Sequence, residues 1–408
     1  MKKTLVAIAA LAATGAFAQS SVAITGVYDA GYQAISHTDA TKKWSGINHN
    51  GTNTSRLDFQ GTEDLGGGLK ASFWGELDIV PTRSTTTNQS ATSTANAFTG
   101  TPFTGQQFVA IAGGFGDLKI GQPNSPALDI GGGVMQPFGT ALGSGYSGTW
   151  GRMGTQSVDS GVNNFVGGST GRIIRHEKTA VYTTPVFNGL KAQVEFSAKN
   201  GNSTTNSNGG AGAATSNDTG YQSLSATYNN GPLNVAALTA TAKSGANAAV
   251  GIAGSASTAG TVGLAANKDV KWNMLGANYT MGAVTGYVGF TTTKSTNPQV
   301  TAGTAAEDSK SSNVGVKYVM GNIDLLANVT TRTSNVADVA GYTFNGTTPK
   351  STNTALGANY NLSKTTFVYY RYENIKNVAT AISGAAAGGA AALAQDQTTN
   401  ALGLVVKF

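Results

Sequence analysis

The last ten residues, Thr399 to Phe408, restrict the fold more than any other stretch of the chain. Leu402, Leu404, Val406 and Phe408 fall on one face of a strand, and Ala401, Gly403, Val405 and Lys407 on the other. Alternation that runs through Phe408 without a turn leads us to expect a complete strand here. Its apolar face meets something oily and its other face tolerates Lys407. By itself this also suits the closing strand of a soluble sandwich; the rest of the chain decides.

Met1 to Ala18 has the layout of an export signal: Lys2 and Lys3, an apolar stretch Leu5–Ala13, then the small-x-small site Ala16-Phe17-Ala18. The apolar stretch is well short of the ~20 residues that a spanning helix needs, so cleavage after Ala18 is expected rather than anchoring. Loss of the two lysines takes the formal charge from +6 to +4, small and dispersed, and nucleic acid is not an expected partner. Charged residues make up 11% of the chain against a typical ~25%, cysteine is absent, and no later apolar run has membrane-helix length. Such an exported chain is either a secreted all-β protein or an outer-membrane barrel, whose spanning signal is alternation.

Alternating segments of about ten residues recur from end to end. They are Val22–Gln33, Asn53–Gly61, Leu69–Val80, Gln106–Ala112, Leu118–Gln122, Arg172–Thr184, Leu190–Lys199 and Tyr221–Tyr228. The series continues with Leu233–Ala242, Val270–Met281, Ala283–Thr293, Ser312–Met320, Ile323–Thr333, Thr352–Asn361, Thr365–Asn374 and Thr398–Phe408. Tight connections rich in Gly, Asn, Asp and Pro, such as Thr62–Gly68, Pro185–Gly189 and Gly321-Asn322, alternate with long ones rich in Ser, Thr, Asn, Gly and Ala, such as Thr82–Gly105 and Lys243–Asp269. Leu69, Ala71, Phe73, Leu77 and Ile79 oppose Lys70, Ser72, Trp74, Glu76 and Asp78; Leu57 and Phe59 oppose Arg56, Asp58 and Gln60. A dry core would not tolerate those charges, whereas a water-filled lumen keeps them solvated. The expected fold is therefore all-β: one domain, residues 19–408, forming a 16-stranded antiparallel transmembrane β-barrel wide enough for an aqueous channel.

Ser55-Arg56-Leu57-Asp58-Phe59-Gln60-Gly61-Thr62-Glu63-Asp64-Leu65-Gly66-Gly67-Gly68-Leu69-Lys70-Ala71 is similar, nearly residue for residue, to the second hairpin of the general diffusion porins of Gram-negative outer membranes, especially the beta-proteobacterial group. Val27-Tyr28-Asp29-Ala30-Gly31 resembles that family's first strand, Phe115-Gly116-Asp117-Leu118-Lys119-Ile120-Gly121 its fifth-strand motif, and Leu362-Ser363-Lys364-Thr365 a late turn. Phe408 matches the family's terminal assembly signal. The resemblance implies a homotrimer in the outer membrane, among lipid and lipopolysaccharide, with the third long loop infolded as a constriction.

That loop would be residues 123–171, where Gln136-Pro137-Phe138-Gly139 resembles the family's loop tip. A loop so long needs a task such as lining a site, or else is a disordered excursion. The family narrows its pore between wall arginines and loop carboxylates. Arg56 and Arg175 match wall positions, with Arg172 a near neighbour and Arg152 within the loop. Arg56 also suits a structural ion pair, and the others an exposed loop edge. Two departures matter: Gln122 stands after Gly121 where the family often has arginine, and the loop's acids are few, Asp129 and Asp159. A net positive constriction would favour anions.

The expected function is passive diffusion of small hydrophilic solutes and ions. A channel specific for sugar or phosphate is the alternative, though the inward Trp74 and Tyr287 make no aromatic run. His37, His49 and His176 have no evident nucleophile partner, so an enzyme is not expected. Three scattered histidines without cysteine give no metal set, and no cofactor is expected.

Overall fold

The computed structural model describes residues 21–37, 43–79, 81, 105–144, 155–156, 165–166, 175–176, 178–197, 219–244, 269–295, 308–334, 343–344, 350–378, 382–383 and 396–408. Its wall is a closed barrel of 16 antiparallel strands. We number them β1 (Ser21–His37), β2 (Arg56–Gly66), β3 (Leu69–Asp78), β4 (Gln107–Gly113), β5 (Gly116–Gln122), β6 (Thr179–Thr183), β7 (Leu190–Ser197) and β8 (Thr219–Asn230). The circuit continues with β9 (Leu233–Ser244), β10 (Asp269–Met281), β11 (Val284–Ser295), β12 (Asp308–Met320), β13 (Ile323–Ser334), β14 (Lys350–Asn361), β15 (Thr366–Val378) and β16 (Gln397–Lys407).

Each wall strand pairs with its chain neighbours, and β1 closes the circle on β16, in register from Val27↔Lys407 to His37↔Gln397. Closure leaves no edge of unpaired backbone groups, the condition for a sheet in a bilayer. The short strand Lys43–His49 folds back on the upper half of β1, and β2 pairs with its lower half. Asp29, fully buried, fixes this corner: its carboxylate accepts hydrogen bonds from the backbone N–H groups of Thr52 and Asn53 and from the hydroxyl of Tyr369 on β15.

Outward positions are apolar and exposed, among them Phe73, Val109, Ile120, Leu224, Phe290, Val314, Leu356 and Leu402. Phe408 joins this face, its ring 6.1 Å from that of Tyr28. Inward positions are polar or small, as in Asp58, Glu76, Glu195, Asn313 and Thr330. The tight connections sit at one rim, where Gly282 and Gly321 adopt φ of 59° and 58°, a turn conformation that side chains with a Cβ disfavour.

The strands depart from the sequence reading at several places, among them β1, which runs on from Gln33 to His37, and the unforeseen strand Lys43–His49. β2 runs on to Gly66, because three successive glycines of positive φ (Gly66, Gly67, Gly68) compress the turn. β6 begins only at Thr179, since Lys178 at φ 55° breaks the ladder, leaving Arg175 in an isolated bridge to Asn124. Strands β8 to β15 rise further toward the long connections than expected, on Thr, Ser, Asn and Lys residues that alternate without being apolar.

Candidate functional site

After β5 the chain does not continue as wall. Ser125 caps a one-turn helix, α1 (Pro126–Asp129), accepting from the N–H of Leu128 at 3.2 Å, and Pro126 suits the first turn because it lacks an N–H to satisfy. The helix widens into a π-turn, Ile130–Val134, over three consecutive glycines, closed by Met135 N–H to the Ile130 carbonyl at 3.1 Å. Ala127, Ile130, Val134 and Met135 are buried against inward residues of β8–β10: Tyr221, Ala236, Leu238, Ala240, Trp272 and Met274. Burying each large apolar side chain contributes about 1.5–3 kcal/mol, enough together to hold so short a segment.

The sequence-predicted tip residues take different parts. The side-chain amide of Gln136 donates to the carbonyls of Gly131 and Gly139, and its oxygen accepts from Phe138 N–H at 2.6 Å. It is a clasp within the segment, 1% exposed, and not a lumen contact. Pro137 is half-buried. Phe138 is buried against Leu326 on β13 and Ala355 on β14, with the Arg371 guanidinium 5.6 Å from its ring. Gly139 turns the chain at φ 68°. Asp129 is exposed to the lumen yet hemmed in by the wall. That enclosure pushes its carboxyl up to about 6, with Lys119 and Lys191 opposing the shift.

On the other side of the lumen, Arg56 Nε lies 3.1 Å from Asp58 Oδ2, and Arg175 Nη2 lies 3.4 Å from Glu76 Oε1 while its Nε donates to Asn124 at 2.7 Å. Both wall arginines are therefore partnered by carboxylates of the wall itself. In each pair the cation is nearer the water: side-chain exposure is 30% for Arg56 against 5% for Asp58, and 18% for Arg175 against 6% for Glu76. Lys317 and Asp324 repeat the order at 33% and 14%. Gln122 closes β5, half-buried and paired in register with Gln107. Arg172 and Arg152 lie outside the described residues, as do residues 1–18.

Sequence reasoning missed several inward charges. Arg371 is buried, donating to the carbonyls of Tyr370 and Ala358 and to Asn359 Oδ1 at 2.8 Å. The alternation Tyr369-x-Arg371-x-Glu373 against Val368 and Tyr370 carried that signal. His176 Nδ1 lies 2.8 Å from Glu195 Oε1, and Ser223 Oγ donates to Glu195 Oε2 at 3.1 Å. The carboxylate stands in the middle, between the imidazole and the hydroxyl, and among the described residues His176 Nε2 is buried without a partner. The arrangement is an anchor for the chain before β6, packed on Tyr221 with ring centroids 3.4 Å apart.

A closed barrel that is apolar outside and charged inside, with a chain segment lying on its inner wall, defines a channel-type membrane barrel. The sequence pattern of Gram-negative porins matches residues 4–380, and the chain belongs to that family. Outer membrane porin protein 32 of Delftia acidovorans is 39% identical over 127 residues, 31% of this chain and 33% of that protein. An outer membrane porin protein of Bordetella pertussis is 28% identical over 255 residues, 58% of each chain. The aligned stretches thus span about a third and rather more than half of these relatives. Among solved structures, an anion-selective porin from Comamonas acidovorans shares the fold with TM-score 0.65 at 22% identity, covering 96% of this chain and 100% of that one. The trimer form of OmpT from Vibrio cholerae follows the same fold with TM-score 0.60 at 13% identity.

Proposed function

We propose that the barrel is a water-filled outer-membrane channel for passive diffusion of small hydrophilic solutes and ions, with a preference for anions. One observation carries the ion preference: wall carboxylates stand behind their basic partners, so a permeating ion meets guanidinium and ammonium groups first. In a narrow channel with low-dielectric walls that layering concentrates anions even where formal charges nearly balance. The name of the Comamonas neighbour agrees with this reading. The segment from Pro126 to Ser144 narrows the channel by occupying lumen beside β8–β15.

The test of diffusion is liposome swelling with sugars of rising size. A smooth size cutoff without saturation is expected; saturation by one sugar or by phosphate would favour the substrate-specific alternative. Residues 1–18 act as the cleaved export signal, checked by a mature chain beginning at Gln19. Three copies assemble around one axis, in line with the trimer form of OmpT from Vibrio cholerae. Lys271, Lys310, Lys350 and Lys376 are exposed on the outer face at the long-connection rim, placed to meet lipopolysaccharide phosphates. Their joint replacement by Gln should reduce co-purified lipopolysaccharide.

A further inference from the structure

We infer that the bore of the channel is set from the opposite wall, by a diagonal of inward glycines on β10–β14 that forms a seat for the inner segment. This deepens the channel reading and rests on it. Gly276 on β10 stands directly across from Gly289 on β11; Gly289 pairs with Asn313, two residues before Gly315 on β12. Gly315 pairs with Asn328 on β13, and Leu326, the next inward residue, pairs with Gly357 on β14.

Each glycine lies under one residue of the segment. A Cβ on Gly276 or Gly289 would come within 2.5 Å of Met135, on Gly315 within 2.7 Å of Pro137 Cδ, and on Gly357 within 2.8 Å of Phe138 Cε1. Between the glycines, amides of the same strands hold the segment's backbone. Asn278 Nδ2 donates to the Val134 carbonyl at 3.1 Å, and Asn313 Nδ2 to the Met135 carbonyl at 2.5 Å. Beyond them Glu373 on β15 accepts Gly143 N–H at 3.1 Å. Close approach on β10, β11, β12 and β14 is joined by directed hydrogen bonds from β10, β12 and β15, so the seat fixes depth as well as position. Gly276, Gly289, Gly315 and Gly357 are thus positioning residues: they let the segment lie close to one wall, and so leave the rest of the lumen to water.

The experiment compares single-channel conductance of Gly315→Ala, Gly357→Ala and Gly286→Ala with the wild type. Gly286 faces outward with nothing within 4 Å of its would-be Cβ, and its variant should conduct as wild type. Gly315→Ala and Gly357→Ala should push the segment into the lumen and lower conductance, the double variant further. In a Pro137→Ala background the opposing Cδ is gone, and Gly315→Ala should then lose its effect. If Gly315→Ala does not assemble, Gly357→Ala in a Phe138→Ala background carries the same logic. Conductance unchanged by either seat substitution, or lowered equally with and without Pro137, overturns the seat. A wild-type barrel that passes no current contradicts the channel reading itself, which separates the two failures.

Discussion

The inner walls of β2–β7 and of β8–β11 present opposite surfaces. The first offers Arg56, Asp58, Lys70, Glu76, Asp78, Lys119, Lys191 and Glu195; the second, among the described residues, offers no charge at all, only Ser, Thr, Asn, Gly, Tyr and apolar side chains. Chain can pack on the uncharged surface at little desolvation cost, and α1 with its π-turn does so. Packing on the charged surface would strip water from ions. The uncharged surface thus suits α1 and its π-turn, while the chain beyond them runs on to meet Arg371 and Glu373 on β15.

The most drastic way to break this contrast is to charge the uncharged side. Leu238→Glu puts a carboxylate between β9 and the helix it supports, leaving a buried ion without a partner, at a cost on the order of 3–5 kcal/mol. Loss of folded barrel, or release of the segment with a rise in conductance, is expected; a variant with wild-type thermal stability and conductance would show that the cluster is not formed. Met135→Ala is milder. It removes a side chain 1% exposed and should cost about 2–5 kcal/mol of docking, seen as current noise from a loosened segment in an intact barrel.

Acidification gives a smaller and reversible change. With its carboxyl near 6, Asp129 is charged at neutral pH and loses its negative charge as pH falls through that value. One fewer anion at the lumen strengthens preference for permeating anions, so selectivity should rise between neutral pH and pH about 5. In Asp129→Asn that pH dependence should weaken; if it persists unchanged, another inward carboxylate is responsible.

The barrel was legible because a membrane strand must alternate for its whole length, so that even Thr398–Phe408 announces one oily and one wet face. Strand ends at the long-connection rim were read short, since Thr, Ser and Lys there alternate in geometry but not in hydropathy. Of the site, Arg56 and its partner Asp58 already share a face in the sequence, two residues apart on β2, whereas the pairing of Arg175 with Glu76, 99 residues away, has no local signature. The clasp made by Gln136 and the helix before it were hidden, because Gly131-Gly132-Gly133 favours no regular structure until Ile130 and Val134 find an apolar wall. Glycines facing Met135, Pro137 and Phe138 have no local signature either; their meaning lies in residues over a hundred positions away.

In the proposed channel, cations layered over carboxylates give the pore its sign. The direct measurement is the zero-current potential of the reconstituted channel across a gradient of dilute potassium chloride, where screening over roughly 8–10 Å least masks wall charge. The wild type should show chloride permeating faster than potassium, and Arg56→Glu with Arg175→Glu should move the potential toward cation preference. A cation-signed potential in the wild type, or a ratio that both substitutions leave untouched, would contradict the account.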